Sequence, residues 1–259
     1  MTEAVRYESD GTIGVITLDR ADNRNSMTPE LLDAFVRASA SARADRDVRC
    51  VIVTGTGACF SAGADFKATL QRDTGETPHE RSYAMYAPFL SLLALDAPLI
   101  GALNGHAVGG GFGLALVCDI RIGARDAKYG ANFVRLGLAP GMAISYLLPR
   151  LVGVARANEL LLTGQLVDGT RAEALGILNR AVPAADVMTE ATALAREIAA
   201  AAPIAVRATK AAIRRGLALH VEEAARAEAF AQAETIATAD AAEGIAALLA
   251  KRSPVFTGR

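Results

Sequence analysis

Short apolar runs separated by glycine-rich or polar turns recur through most of the chain and predict alternating strands and helices. Residues 112–118 are apolar at nearly every position, which is typical of a helix buried on all sides. The runs that predict strands, rich in Val, Ile and Leu, are 13–18, 48–54, 98–103 and 120–122. Strands that alternate with helices in this way indicate an α/β fold.

Polar residues at the ends of apolar stretches predict where two helices begin. Thr28 as N-cap, followed by Pro29 and Glu30, predicts a helix over 29–43. Thr170 and Glu173 have the spacing of a reciprocal capping box, with Gly176 as the stop of that helix. The apolar residues expected to be buried by the first of these helices are Leu31, Leu32, Phe35 and Val36.

The composition changes after Pro183. Residues 184–252 are alanine-rich, favour helix and contain no strand candidate, and they are interrupted by Pro203, Gly216 and Gly244. We therefore predict a core of residues 1–195 and a C-terminal helical region of residues 196–259 that serves packing or assembly.

The segment 104–113 carries the strongest candidate chemistry, because three glycines (109–111) lie between a predicted strand and the buried helix. Glycines let another group approach the backbone, and the first-turn amides of a helix point outward at the positive end of its dipole. Such a site can hold a phosphate, a carboxylate, or the oxyanion formed when a thioester carbonyl is attacked or enolised. Leu114 excludes a dinucleotide fingerprint, and no Gly-Lys-Ser/Thr follows as in a phosphate loop. A flexible turn is the structural alternative.

A second loop of small residues, Phe-Ser-Ala-Gly-Ala-Asp at 60–65, also permits close backbone approach. The segment 67–88 that follows is charged, contains Gly75 and Pro78, and has only a weak helical pattern. We interpret it as a mobile flap beside a pocket.

Composition narrows the class of protein. A chain of 259 residues, 52% hydrophobic, can bury a large core, and its net charge of −1 and 5% aromatic content predict no nucleic-acid partner. Asp119 interrupts the longest apolar run, and no basic segment precedes an apolar one at the start, so we expect a cytoplasmic protein without membrane contact. The three cysteines, Cys50, Cys59 and Cys118, lack metal-ligand spacing and are expected to be reduced core residues, with no metal site.

Read together, these segments resemble the enoyl-CoA hydratase/isomerase (crotonase) superfamily over nearly the whole chain. The resemblance implies an α/β, crotonase-like spiral of β-β-α turns, with a C-terminal helical region that builds a homotrimer or a dimer of trimers. It also implies lyase or isomerase chemistry on acyl-CoA thioesters in fatty-acid or related metabolism, with no cofactor beyond the coenzyme A of the substrate. The matching pieces are Asn-Arg-Asn-Ser-Met (23–27), 60–65, Asn-Gly-His-Ala-Val-Gly-Gly-Gly (104–111), Cys-Asp-Ile-Arg (118–121), Leu-Gly-Leu-Ala-Pro-Gly (136–141), Leu-Thr-Gly (162–164), 243–244 and 251–256.

The resemblance also assigns site residues. The thioester oxygen would lie between the backbone amides of Ala64 and Gly110, and this oxyanion hole would stabilise an enolate. Arg24 and the backbone around Ser26 would contact the nucleotide end of coenzyme A. Ala62, Asp65 and Phe66 would lie near the adenine and pantetheine, and Lys251 would reach a phosphate from a neighbouring subunit. The structural alternatives are that Asp65 only ties down its loop and that Lys251 is a solvated helix-end charge.

One departure from the family pattern concerns catalysis. The two glutamates that hold and activate water in the hydratases of this family correspond here to Gly113 and Phe133. General acid–base assistance contributes about 10²–10⁴-fold, so we expect very little ordinary hydration. The loop at 139–141, Ala-Pro-Gly, also lacks the aspartates of the family's dienoyl isomerases and aromatic dehalogenase.

Other side chains are weaker candidates for the role of the two glutamates. His106 is favoured as packing at the strand end, His79 and Glu80 as solvated flap residues, and Asp119 as a capping or strand-start residue. Side chains near Phe133 that could orient a substrate are Asn132, Arg135, Ser145 and Tyr146.

Three functional hypotheses follow. The first is an enzyme whose oxyanion hole works without the glutamate pair, in isomerisation, decarboxylation or thioester cleavage of a hydrophobic acyl group, because Phe133 makes the water site apolar. The second is a non-catalytic acyl-CoA-binding protein. The third is ordinary hydration through a residue not identified from the sequence.

Overall fold

The computed structural model describes residues 3–65, 77–216, 237–250 and 252–259. The strands of this part of the chain are β1 (Val5–Asp10), β2 (Ile13–Leu18), β3 (Cys50–Gly55), β4 (Cys59–Ser61), β5 (Leu99–Leu103), β6 (His106–Val108), β7 (Ile120–Ala124), β8 (Lys128–Gly130), β9 (Val167–Asp168) and β10 (Arg180–Val182). The α-helices are α1 (Pro29–Ala44), α2 (Pro78–Leu90), α3 (Gly110–Val117), α4 (Ile144–Val152), α5 (Val154–Thr163), α6 (Gly169–Ala174), α7 (Val187–Ala199), α8 (Pro203–Gly216) and α9 (Ala239–Leu249).

The strands form two sheets that the chain visits in turn. A six-stranded sheet has the order β1-β2-β3-β5-β7-β10, parallel except for the β1–β2 pair. A four-stranded sheet has the order β4-β6-β8-β9, with β9 antiparallel. The pairs β3–β4, β5–β6 and β7–β8 each place one strand in either sheet. The predicted α/β fold, a spiral of β-β-α turns, is therefore confirmed.

The core lies around α3 and the central strands of the larger sheet. All eight residues of α3 are buried, as the apolar pattern predicts. Strand β5 is buried at every position, because a central parallel strand is covered on both faces. The Phe35 ring on α1 packs edge-on against Phe89 on α2, with 4.7 Å between their centroids.

Three details of the sequence interpretation need correction. Val36 is 44% exposed, because the buried face of α1 follows residues 31, 35, 38 and 42 and leaves it to the side. Helix α6 begins earlier than predicted, since Asp168 rather than Thr170 is the N-cap and accepts from Arg171 N (2.9 Å). Gly244 lies inside α9 and does not interrupt it.

The expected flap is in part a regular helix. Residues 78–90 form α2, which begins with a capping box between Thr77 and Glu80, while residues 67–76 lie outside the described residues. Hydrogen bonds from Thr77 lower the pKa of Glu80, so this carboxyl is a capping group. The side chain of His79 is outside the described residues.

The described part of the C-terminal region is helical, as predicted. The predicted boundary at residue 195 falls within α7. No helix of the described residues is both long enough and apolar enough to cross a membrane. Cys50, Cys59 and Cys118 are free thiols in buried positions, and burial raises the pKa of both Cys50 and Cys118 to about 12.

An ion cluster around Asp119 joins α8 to the core. The Asp119 carboxylate accepts from Leu99 N at the start of β5 (2.8 Å), from Lys210 Nζ (2.8 Å) and from Arg214 (3.2 Å). Lys210 also donates to the Ala97 carbonyl (2.6 Å), and its side chain is only 9% exposed. Burial lowers the pKa of Lys210, and Asp119 acts in the opposite direction. The strand-start role predicted for Asp119 is therefore confirmed, with the added task of compensating a buried cation.

We expect Asp119→Asn to lower the free energy of unfolding by about 2–3 kcal/mol, because it leaves the buried Lys210 ammonium without its counterion. Urea denaturation at fixed protein concentration measures this. Glu190→Gln is the matched control, since it breaks an exposed pair with Arg180 and should cost less than about 1 kcal/mol. Equal losses in the two variants would contradict the assignment.

Candidate active site

The two small-residue loops meet at the start of α3. Gly63 has a φ of +81°, and a side chain there would lie 2.7 Å from the Val108 carbonyl oxygen and 2.8 Å from Gly110 N. Met27 N donates to Gly63 O (2.8 Å), and the Met27 sulfur occupies the space that a side chain on Gly110 would need. Only glycine fits at position 63, and a side chain at position 110 would have to displace the Met27 side chain.

Two backbone amides lie unpaired at this contact. Ala64 follows Gly63, and Gly110 is the first residue of α3, so its amide has no acceptor within the helix. Neither N–H donates a hydrogen bond to a residue that the structure describes. Both amides are therefore available to an oxygen that carries negative charge, and the one on Gly110 lies at the positive end of the helix dipole.

A cavity of ≈ 640 Å³ opens beside these loops. Five of the residues predicted to bind ligand line it together: Arg24, Ser26, Ala62, Ala64 and Asp65. Of the three other predicted ligand residues, Gly110 is not among the lining residues, and Phe66 and Lys251 lie outside the described residues. Its remaining lining residues, to which the sequence analysis assigned no ligand contact, are Asp22, Asn23, Cys59, His106, Val108, Lys128 and Leu166.

Arg24 is presented to the cavity by a loop that Asn25 holds in place. Arg24 and Asn25 both have left-handed φ values, +60° and +52°. The buried Asn25 side chain accepts from Arg20 N (2.8 Å) and donates to the Cys59 carbonyl (2.8 Å), which offsets that strain. The Arg24 backbone oxygen accepts from Ala62 N (3.0 Å), so the two loops are joined. The exposed Arg24 guanidinium makes no hydrogen bond or ion pair with the described residues.

His106 and Lys128 lie side by side on neighbouring strands at the cavity. Lys128 N donates to His106 Nδ1 (2.9 Å), and both residues are exposed. Cys59 Sγ donates to the His106 carbonyl (3.1 Å), and burial raises the pKa of the Cys59 thiol, with Arg24 opposing it. This arrangement keeps the thiol protonated and gives no support to a nucleophilic Cys59.

Acidic groups are scarce around the cavity. The chain has no glutamate between Glu80 and Glu159. Of the lining acids, Asp22 is paired with Arg20 (3.2 Å), whose hydrogen bond lowers the pKa of Asp22, and Asp65 is the other. Among the described residues, no three His, Cys, Asp or Glu side chains group to hold a metal ion.

Gly113, to which the sequence analysis assigned one of the family's glutamate positions, is closed by Met142. A side chain on Gly113 would overlap Met142 Cβ, and would lie 3.0 Å from Met142 Cγ and 3.4 Å from Ile144 Cγ1. Met142 is fully buried and has a φ of +57°, and Ala143 follows with +54°. Two successive non-glycine residues in the left-handed region are strained. The loop conformation that places Met142 over Gly113 therefore lowers the stability of the fold.

Phe133, to which the sequence analysis assigned the other glutamate position, lies near the glycine loop. Its ring atom Cζ and the Asn132 side-chain oxygen are 3.8 Å and 4.0 Å from where a side chain on Gly109 would begin. No other heavy atom of a non-adjacent described residue lies within 4 Å of that point. Space beside the Gly110 amide is thus bordered by an aromatic ring and an amide.

Two of the other side chains proposed to orient a substrate are engaged elsewhere. Arg135 donates to the Thr163 carbonyl (2.9 Å), and the Tyr146 ring lies 3.4 Å beneath the Arg150 guanidinium. Neither of them lines the cavity.

The alternating sheets, the glycine loop before a buried helix and the cavity beside it define a crotonase-like α/β protein. The chain belongs to the enoyl-CoA hydratase/isomerase family, whose model matches residues 8–259. A probable enoyl-CoA hydratase of Mycobacterium bovis is 35% identical over 257 residues, 99% of each chain. A putative enoyl-CoA hydratase of Thermus thermophilus is 38% identical over 249 residues, covering 95% of this chain and 98% of the relative. An enoyl-CoA hydratase structure from Bacillus anthracis matches with a TM-score of 0.92 at 32% identity, covering 99% of this chain and 100% of that one.

We expect Gly113→Ala to destabilise the protein by about 1–3 kcal/mol, because the new methyl group overlaps Met142. In a Met142→Gly background, which removes the overlapping Met142 Cβ, the same substitution should cost less, and the double-mutant cycle measures this coupling. Gly244→Ala is the matched helical control, since its nearest contacts beyond its own helix are the Phe256 ring at 3.5 and 3.7 Å. The control should be neutral or stabilising by up to ~1 kcal/mol. Additive effects at residues 113 and 142 would contradict the packing described.

Proposed function

We propose that this protein acts on an acyl-CoA thioester through a backbone oxyanion hole formed by Ala64 and Gly110, and not by two-glutamate hydration. The observation that carries the proposal is the pair of unpaired amides at the meeting of two glycine loops beside a ligand-sized cavity. A thioester oxygen held there gains negative charge only as an enolate forms, so the hole lowers the barrier to reaction.

The position of the cavity supports a coenzyme A ligand. Its mouth carries the Arg24 guanidinium, which has no partner among the described residues, and the exposed Lys128. Cations of this kind suit the phosphates of the nucleotide end. The names of these relatives identify them as hydratases of enoyl-CoA. We propose the same class of ligand, a coenzyme A thioester, for this chain, but not the hydration step.

The chemistry around the hole argues against hydration. Gly113 and Phe133 offer no proton, and Met142 fills the space above Gly113. Water held for attack needs polar partners, which the side chains at positions 113, 133 and 142 do not supply. Of the reactions considered, decarboxylation depends least on a base, because breaking the bond to the carboxylate releases CO₂ and leaves the electron pair as the enolate.

Apolar side chains left on the surface support assembly. Val154 and Leu162 on α5, Ile213 on α8 and Val255 are each more than 60% exposed. Burial of such side chains in a homotrimer or a dimer of trimers would remove them from water. The oligomeric state is part of the proposal.

We expect purified protein to bind butyryl-CoA and to hydrate crotonyl-CoA at least about 10²-fold more slowly than a two-glutamate family member assayed beside it. A rate equal to the reference would overturn the proposal. A variant that combines Gly113→Glu, Phe133→Glu and Met142→Gly should gain hydration, because Met142→Gly removes the Cβ that overlaps the first glutamate. Gly113→Glu alone should not.

We expect Arg24→Ala to weaken coenzyme A binding about tenfold, the loss of one hydrogen bond to a charged group. The affinity of the variant should also depend less on salt, since a charge pair is lost. Titration calorimetry at low and high salt measures both effects, with Arg180→Ala, distant from the cavity, as control. Identical affinities and salt slopes for the two variants would remove Arg24 from the site.

A further inference from the structure

The Asn132 side chain is a polar group near the glycine loop that the proposed mechanism leaves unused. It is half-buried, precedes the short 3₁₀ helix Phe133–Leu136, and does not cap it. It forms no hydrogen bond with any residue of the described part of the chain. A half-buried amide without a protein partner is available to a ligand.

The position of this amide relative to the oxyanion hole is set by Gly109. The Asn132 oxygen lies 4.0 Å from where a side chain on Gly109 would begin. Standard bond lengths then place it at most about 8 Å from Gly110 N. That span suits two hydrogen bonds joined by a short acyl segment, one from Gly110 to the thioester oxygen and one from Asn132 to an atom farther along the acyl group.

The surroundings identify which acyl atom Asn132 contacts. Phe133 Cζ lies 3.8 Å from the same point and Met142 closes the wall over Gly113, so the neighbouring surface is apolar. An acyl chain without a polar atom would leave the Asn132 amide dry and unpaired, which is unfavourable. We propose that Asn132 is a specificity residue that donates a hydrogen bond to an oxygen on C3 of the acyl group, so that the ligand is a 3-oxoacyl or malonyl-type thioester.

This inference rests on the proposed function, because it needs the thioester in the oxyanion hole. A ketone and a carboxylate at C3 both present an oxygen that accepts a hydrogen bond, and the two groups differ in charge, so experiment can distinguish them. Either thioester also yields a resonance-stabilised carbanion or loses CO₂ without a strong base, which matches a site poor in acids and bases. The amide can turn its NH₂ end to the ligand, since no protein partner among the described residues fixes its orientation.

The test measures the affinities of coenzyme A, butyryl-CoA, acetoacetyl-CoA and malonyl-CoA by titration calorimetry, for the wild type and for Asn132→Leu. Butyryl-CoA and acetoacetyl-CoA have the same chain length and differ only by the C3 oxygen. We expect the wild type to favour the C3-oxygenated ligand over butyryl-CoA by about 2- to 10-fold, the range for one hydrogen bond. Preference for malonyl-CoA over acetoacetyl-CoA would identify the carboxylate as the source, and the reverse the ketone.

Asn132→Leu has nearly the same volume without the amide and should abolish the preference while leaving coenzyme A affinity unchanged. A purely structural role for Asn132 would weaken all four ligands equally, and that result overturns the inference. Equal wild-type affinities for butyryl-CoA, acetoacetyl-CoA and malonyl-CoA also overturn it, yet leave the proposed function standing. Failure of the wild type to bind coenzyme A or any thioester overturns both.

Discussion

The close approach of two backbone segments, residues 61–64 and 109–111, is the constraint on which the candidate site depends. A side chain on Gly63 would strike the Val108 carbonyl and Gly110 N, and one on Gly111 would strike the Ser61 carbonyl. The amides of Ala64 and Gly110 come together only because these positions carry no side chain. A cradle built from backbone is indifferent to most side-chain substitutions nearby, so the family fold can retain thioester binding while its chemistry changes.

The wall beside the cradle is apolar where Met142 covers Gly113. Met142 takes a left-handed conformation that costs energy and uses it to cover Gly113. Tyr86 from α2 lies against Gly141, with its ring carbon Cζ 2.6 Å from where a side chain would begin. Met142 thus occupies the space that any side chain on Gly113 would need.

The sequence predicts the elements of this fold well because its signals are local. Strand β2 has the bounds that the apolar run indicates, and α3 is buried along its whole length. Prediction fails where a tertiary contact decides the outcome, or where a neighbouring residue takes the role predicted for another. Val36 is apolar yet lies beside the buried face of α1, and Asp168 captures Arg171 N two residues before the expected cap at Thr170.

The candidate site is only partly predictable for the same reason. The family pattern identifies Arg24, Ala62 and Asp65, and they do line one cavity. His106 and Lys128 become neighbours through the pairing of β6 with β8, which no local pattern fixes. The cover of Gly113 by Met142 likewise appears only when α3 and the loop before α4 are packed together.

Helix α3 connects the candidate site to the ion cluster around Asp119. Its first amide belongs to the cradle, and the residues after its last turn lead to Asp119, which binds Lys210 and Arg214 of α8. The buried Lys210 ammonium is tolerated only while that carboxylate is in place, so the register of α8 on the core is specified by charge as well as by packing. A rigid, fully buried helix held at both ends keeps the Gly110 amide in position before a substrate arrives. Hydrogen-bond donors that need no reorganisation at the moment of reaction stabilise a developing charge most effectively. The attachment of α8 to Asp119 therefore contributes to the preorganisation of the proposed oxyanion hole as well as to the stability of the fold.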